Sequence, residues 1–180
     1  MAAELINELK KWATELARRS SEGNDVGLNR AVELISRNFA VRPHEVAIFA
    51  LTPDQRFLQF LTPERLREVG QIPMTSTHSV AARTARERRA EVINHFAVIP
   101  HSSVFEAVPI SEGQPGEAIQ KIMSAPIVHE KKVVGVIQIS RKAASMAEAG
   151  PEFTHQQLRE LKTIADALAS CISLGAKVHA

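Results

Sequence analysis

The sequence predicts an α+β domain built on an antiparallel sheet, and three observations carry that prediction. The order of elements reads helix, helix, hairpin, irregular middle, hairpin, long helix, with the strands clustered in hairpins rather than alternating singly with helices. Two apolar runs, residues 122–128 and 133–139, are joined only by His129-Glu130-Lys131-Lys132. A link that short allows only antiparallel pairing, because parallel strands need a crossover. The last helix has an explicit start: Thr154 at the N-cap, Gln157 three positions on, and Phe153 facing Leu158 as a hydrophobic staple.

The remaining elements follow in order. Leu5, Leu9, Trp12 and Leu16 fall at alternating steps of four and three, and Ile6, Ala13 and Ala17 widen that stripe, so residues 3–20 form a helix. Residues 20–25 are a loop ending in Asn24 or Asp25 as N-cap. A second helix then places Leu28, Ala31, Val32, Ile35 and Phe39 on one face, and it stops before Pro43. Residues 46–51 and 56–61 read as a hairpin about Thr52-Pro53-Asp54. Thr62-Pro63-Glu64 has the form of a cap, a proline at the first helical position and an acid in the first turn, which predicts a short helix.

In the middle, a brief strand at 72–74 precedes the polar run 75–79, a helix from 79 to 88 and a strand at 91–94. Residues 97–116 hold three prolines and two glycines and read as a long loop with one helical turn near Val104, a length common in functional lids. Pro126 marks an edge or a bulge, having no N–H for a ladder bond. Gly135 marks a kink or a close approach. In the last helix Leu158, Leu161, Ala165, Leu168 and Ile172 form one stripe, widened by Ile164, Cys171 and Leu174. That width predicts two buried sides, one on the sheet and one against another helix.

Composition bounds the rest. The chain has 180 residues, 44% hydrophobic and 23% charged, which is globular composition for one domain. With 22 Lys and Arg against 20 Asp and Glu the net charge is only +2, so no polyanion-binding signature emerges. Tyrosine is absent and there is one tryptophan, so the core is aliphatic with seven Phe. The lone cysteine, Cys171, forms no internal disulfide, and no secretory leader or membrane-length apolar run is visible. A cytoplasmic location is expected.

Residues 123–128, a polar turn, residues 133–140 and then Phe153-Thr154 opening a terminal helix resemble the end of GAF domains. Residues 75–94, a short helix followed by a strand, resemble their middle segment. The resemblance covers about residues 25 to 178, which divides the chain into an N-terminal helix at 1–24 and a GAF domain at 25–180. It implies a GAF/PAS-like (profilin-like) sheet of five or six antiparallel strands, with terminal helices on one face and a ligand pocket under the middle loops on the other. Members that reduce free methionine sulfoxide use cysteines near the pocket, and bilin-carrying members attach their chromophore through one. Neither cysteine has a counterpart here. The Asn-Lys…Phe…Asp-Glu signature of cyclic-nucleotide-binding members is also missing, so no cofactor is named.

Within that frame Thr75, Ser76, Thr77, His78 and Ser79 are the candidate ligand-binding run, since a helix opening there turns free N–H groups toward an anion. The plainer reading is that Thr77 or Ser79 caps the helix. His95, His101, Ser102 and Ser103 belong to the loop over the pocket, where the histidines read as ligand-facing or solvated rather than as metal ligands. The basic run Arg83, Arg86, Arg88 and Arg89 is interrupted by Glu87 and lacks interleaved aromatics, so it reads as a solvated helix face and not a nucleic-acid site. No Ser/His/Asp grouping, carboxylate pair or phosphate loop can be assembled. The expected function is a non-catalytic sensing module that binds an unknown small molecule and signals to a separate protein. A homodimer is expected through Leu5, Leu9, Trp12, Leu16, Leu161, Ile164, Leu168 and Cys171. The alternative is a ligand-free interaction or dimerisation module, and after it a small enzyme.

Overall fold

The computed structural model describes residues 2–20, 28–99 and 117–178. Helix α1 (Ala2–Ser20) and helix α2 (Asn29–Phe39) come first, followed by a 3₁₀ turn at Pro43–Glu45 and strand β1 (Val46–Leu51). Strand β2 (Phe57–Thr62), a 3₁₀ turn at Glu64–Leu66, strand β3 (Gln71–Pro73), helix α3 (Val80–Glu87) and strand β4 (Glu91–Ile93) make up the middle. A 3₁₀ turn at Phe96–Val98 precedes the long strands β5 (Ile119–His129) and β6 (Lys132–Lys142), and helix α4 (His155–Val178) closes the fold. The six strands form one antiparallel sheet in the order β3-β2-β1-β6-β5-β4. Among the described residues no helix is long and apolar enough to cross a membrane.

Strand alternation sorts two cores onto opposite faces. On one face Val46 and Ile48 of β1, Met123, Ala125 and Ile127 of β5, and Ile137 and Ile139 of β6 meet α2 and α4. Leu5 and Leu9 of α1 join that core. On the other face Phe49, Leu58, Phe60, Ile72 and Val136 pack beneath Ala81, Ala82 and Ala85 of α3. The Phe49 and Phe60 ring centroids there lie 4.4 Å apart.

The second buried side expected of α4 is real, and α1 of the same chain covers it. Leu161, Ile164, Leu168 and Cys171 are all buried within one chain, as are Leu5 and Leu9, and Trp12 is half-buried. The apolar width that suggested a dimer seam is therefore satisfied intramolecularly, and a seam through these side chains requires α1 to leave α4. The side chain of Leu16, like those of Ala13, Ala17 and Leu174, lies outside the described residues.

Several local readings change. Helix α2 starts at Asn29 with Leu28 at its cap and no side-chain capping bond, while Asn24 and Asp25 lie outside the described residues. Pro63 is the cap of a single 3₁₀ turn rather than the first residue of a helix, because Thr62 still belongs to β2. Strands β5 and β6 run beyond their apolar runs through Gln120, Lys121, Ser140 and Arg141, which are buried polar residues with partners. Gln120 donates from Nε2 to the Ala143 carbonyl (2.9 Å). Arg141 donates to the Ala40 and Phe39 carbonyls (3.1 and 3.2 Å) at the C-terminal end of α2, and its guanidinium lies 4.7 Å over the Phe153 ring. The solvated-face reading of the arginine run holds for Arg86, Arg88 and Arg89, which are exposed, and changes for Arg83, which holds Glu91 in a bidentate ion pair (2.7 and 3.0 Å).

Other readings stand. Pro126 lies on β5 just past Ser124, the last position paired with β4, so one side of the strand is an open edge there. The capping box forms, with Gln157 N donating to Thr154 Oγ1 (3.1 Å) and Thr154 N donating to Gln157 Oε1 (2.9 Å). The β5–β6 turn is two residues long, Glu130 and Lys131, with φ of +46° and +66°. Such primed turns favour Asn-Gly, and a side chain held in the left-handed region costs about 1 kcal/mol. Replacing Glu130-Lys131 by Asn-Gly is expected to raise the melting temperature by about 2–4 °C in a domain of this size. Calorimetry showing no gain or a loss would reject this account of the turn.

Candidate ligand pocket

The face opposite the terminal helices is not fully packed. Between β1, β6, β3 and the start of α3 it encloses a cavity of about 320 Å³. That is the lower end of the range for small-molecule pockets, about 300–1,000 Å³. Its apolar walls are Phe49, Phe60, Leu66, Ile72, Phe96 and Ile122, and its polar groups come from His44, Gln71, Ser76, His78, Ser79, Gln138, Ser140 and Lys142. None of the described lining residues is an acid.

Each polar group has a local cause. Ser79 is the N-cap of α3, accepting from Ala82 N (3.2 Å), so its hydroxyl proton stays available. Arg86, in the last turn of α3, donates to the Ser76 carbonyl (2.9 Å) and to the Met74 carbonyl, which ties down the loop carrying Ser76 and His78. Gln138 donates from Nε2 to Ser124 Oγ (3.2 Å), and Thr84 Oγ1 donates to the same oxygen (2.7 Å). The Gln138 carbonyl oxygen is then an acceptor. Ser140 Oγ donates to the Glu45 carbonyl (3.2 Å), which leaves Ser140 lone pairs as acceptors.

Glu45 holds the polar end together. Its carboxylate is buried and accepts from Arg42 N (2.7 Å), Arg42 Nη2 (3.0 Å) and Lys142 N (2.6 Å). Burial pushes its pKa up, but the bonds from Arg42 and from the Lys142 amide outweigh that and leave it below the usual carboxylate range. Arg42 also donates to the Lys142 carbonyl (2.7 Å) and pairs with Glu117 (2.6 Å), so the 3₁₀ turn before β1 is clipped to the end of β6. His44 sits on that turn. Burial, then the charge of Arg42, lowers its pKa, so it is neutral at pH 7, and its Nε2 is buried with no hydrogen-bond partner among the described residues.

Of the run singled out in the sequence, Ser76, His78 and Ser79 line the cavity. Thr75 and Thr77 are exposed and outside its lining, as is His95, which precedes the Phe96–Val98 turn. His101, Ser102, Ser103 and the helical turn expected near Val104 lie outside the described residues. Sequence reasoning missed His44, Gln138, Ser140 and Lys142. A signal for three of them was present: on β6 the polar residues 138, 140 and 142 alternate with Ile137, Ile139 and Arg141, putting one polar row on one face.

The family of GAF domains matches residues 27–173 of the chain. The chain belongs to the GAF domain family. Solved structures agree in fold. The GAF domain of a phosphoenolpyruvate-protein phosphotransferase from Acinetobacter superposes with a TM-score of 0.65 at 11% identity, covering 98% of this chain and 95% of that one. A free methionine-R-sulfoxide reductase from Neisseria meningitidis, solved with its substrate, gives 0.63 at 11% identity over 99% and 92%. Residues 122 to 287 of a methyl-accepting chemotaxis protein give 0.57 at 14% identity over 93% and 97%. No curated protein matches the chain.

The single thiol of this GAF domain is not at the pocket. Cys171 is buried in α4, with the sheet between it and the cavity. Burial raises its pKa, so it is a thiol rather than a thiolate at pH 7.

Proposed function

We propose that this GAF domain is a regulatory module that binds a small molecule in the cavity beneath α3 and passes occupancy to the terminal helices without chemistry on the ligand. The observation that carries this reading is the placement of β6. Gln138 and Ser140 line the cavity and Val136 packs in the core beneath α3, while Ile137 and Ile139 on the same strand belong to the core under α4. Gly135 of β6 lies against Ile172 of α4 closely enough that an added Cβ would be 3.3 Å from its Cγ2. A ligand that shifts β6 therefore acts on α4, and through it on α1. The likeness to the chemotaxis protein supports a sensory role.

The likeness to a sulfoxide reductase raises an enzymatic reading. That chemistry needs a thiol at the cavity, and the one cysteine of the chain lies across the sheet. The described lining also holds no carboxylate pair for acid–base work. We take residues 1–24 as the output helix, 25–180 as the GAF domain, and a separate cytoplasmic protein as the receiver of the signal.

Native mass spectrometry of the purified chain, joined to hydrogen exchange, tests this. A retained or added small molecule is expected to slow exchange in β6 and to change it in α1 and α4. An empty cavity that no metabolite stabilises overturns the sensor in favour of an interaction subunit. Reduction of free methionine sulfoxide by the wild type overturns the non-catalytic reading.

A further inference from the structure

A second hollow lies away from the cavity, a surface groove of about 480 Å³ between α4 and the open edge of β5. Strand β4 pairs with β5 only as far as Ser124, so beyond it β5 has no strand on that side among the described residues. Pro126 opens this stretch, and a proline on an edge discourages the addition of a further strand. A partner seated here is therefore held by side chains. The floor is Ala90, Pro126, Val128 and Leu158, all half-buried, so four apolar side chains are each partly open to solvent.

The charge around that floor is mostly of one sign. Helix α4 brings His155, Arg159, Lys162 and Asp166 to the groove at steps of four, three and four, one exposed stripe. The link between α3 and β4 adds Arg88 and Arg89, both exposed. Arg89 is balanced by Glu87 at 3.2 Å. Arg88 donates to the Lys131 carbonyl, a neutral group that fixes the side chain and leaves its charge uncancelled. Arg159 and Lys162 have no ion-pair partner among the described residues. Three cations then stand against one acid, Asp166. The adjoining β5–β6 turn sets Lys131 and Lys132 against Glu130, which keeps the sign.

We infer that this groove docks a short acidic peptide segment of a separate protein. Its carboxylates meet Arg88, Arg159 and Lys162, and its apolar side chains cover Val128 and Leu158. The floor separates this occupant from a nucleic acid. No aromatic side chain among the lining residues offers a base a stacking surface, and Asp166 and Glu87 repel phosphates. Exposed ion pairs contribute little each, so the complex is weak, selective for charge and sensitive to salt. The assignment rests on the groove alone and holds whether or not the cavity beneath α3 takes a ligand.

Fluorescence anisotropy with labelled peptides of about eight residues tests it, since the stripe from His155 to Asp166 spans about 16 Å, room for about five extended residues. The probes are a peptide of equal Glu and Leu, its Gln–Leu, Lys–Leu and Glu–Ser counterparts, and a single-stranded oligothymidylate of the same charge. The Glu–Leu peptide is expected to bind about tenfold more tightly than the Gln–Leu and Glu–Ser peptides, and to weaken about tenfold between roughly 0.05 and 0.5 M salt. The double variant Arg159→Glu with Lys162→Glu is expected to lose about tenfold in binding that peptide and to take up the Lys–Leu peptide instead. An unfolded variant shows no such exchange. Equal binding of the Glu–Leu and Gln–Leu peptides, unchanged binding by the double variant, or no binding of the Glu–Leu peptide overturns the docking site. Tighter binding of the oligothymidylate makes the groove a nucleic-acid surface and overturns the peptide. None of these results bears on the cavity, whose occupancy native mass spectrometry reads separately.

Discussion

Replacing Gly135 by alanine is expected to destabilise the domain by about 3 kcal/mol, lowering its melting temperature by about 6–12 °C. In an ordinary strand the same change helps, because glycine in a strand interior costs roughly 0.5–1 kcal/mol relative to alanine. The sign reverses here because of what the new methyl meets. An ideal Cβ on Gly135 would sit 2.1 Å from the Phe49 carbonyl oxygen, inside the 3.0 Å that real Cβ atoms keep. That oxygen belongs to the backbone of β1, so no rotamer change relieves the clash. Gly135 pairs with Ala50 on one side and Ile127 on the other, in the middle of the sheet, so the neighbours are held as well. The displaced strand carries Phe49 and Ala47 into the cavity, and ligand affinity should fall with stability. A melting temperature within 2 °C of wild type would show that β1 yields without cost, and would remove the close approach as the reason for glycine.

Replacing Glu45 by glutamine is expected to cost about 2–3 kcal/mol at pH 7, the scale of a buried, charge-assisted hydrogen-bond set that loses its charge. Glutamine keeps the shape but turns an NH₂ toward donors that a carboxylate accepts from. The penalty should depend on pH with a definite sign. Glu45 has a folded pKa below its unfolded value near 4.3, so its stabilisation is complete above that value and declines as pH falls through the folded pKa. The gap between wild type and variant should therefore be constant from about pH 5 to 8 and narrow progressively as pH falls below about 4.3. Urea titrations across that range measure it directly. A gap that does not narrow at all in acid would mean that packing, not charge, holds the clip. Because the clip fixes His44, Ser140 and Lys142, the same variant should weaken ligand binding more than its loss of stability alone explains.

Much of the site is set by side chains that no local pattern marks as functional. Ser76, His78 and Ser79 stood out because a polar run before a helix is a local signal. Lys142 and Ser140 did not, because the strand was read as ending at its last apolar residue. Their placement is fixed by Glu45 and Arg42, about a hundred positions earlier, and a contact of that separation leaves no trace in spacing. Arg86 shows the same limit: as one of four arginines it reads as solvated, yet it fastens the loop that brings Ser76 and His78 to the cavity.

The sequence by itself determined the elements whose cause is local. The capping box of α4 and the hairpin forced by a four-residue link are consequences of neighbours within a few residues, and each is found where its chemistry places it. Gly135 and Pro126 mark positions of constraint, but what they meet is supplied by distant strands. The α+β class and the family follow from the order of the elements. Tertiary structure alone decided where the extra apolar face of α4 goes. Amphipathic width shows that a partner exists but not whether it belongs to the same chain, and α1 folds back to supply it. Only the fold, too, decided which polar residues share a cavity, since β6 turns its alternate side chains to opposite layers and what lies above each layer is set by distant segments.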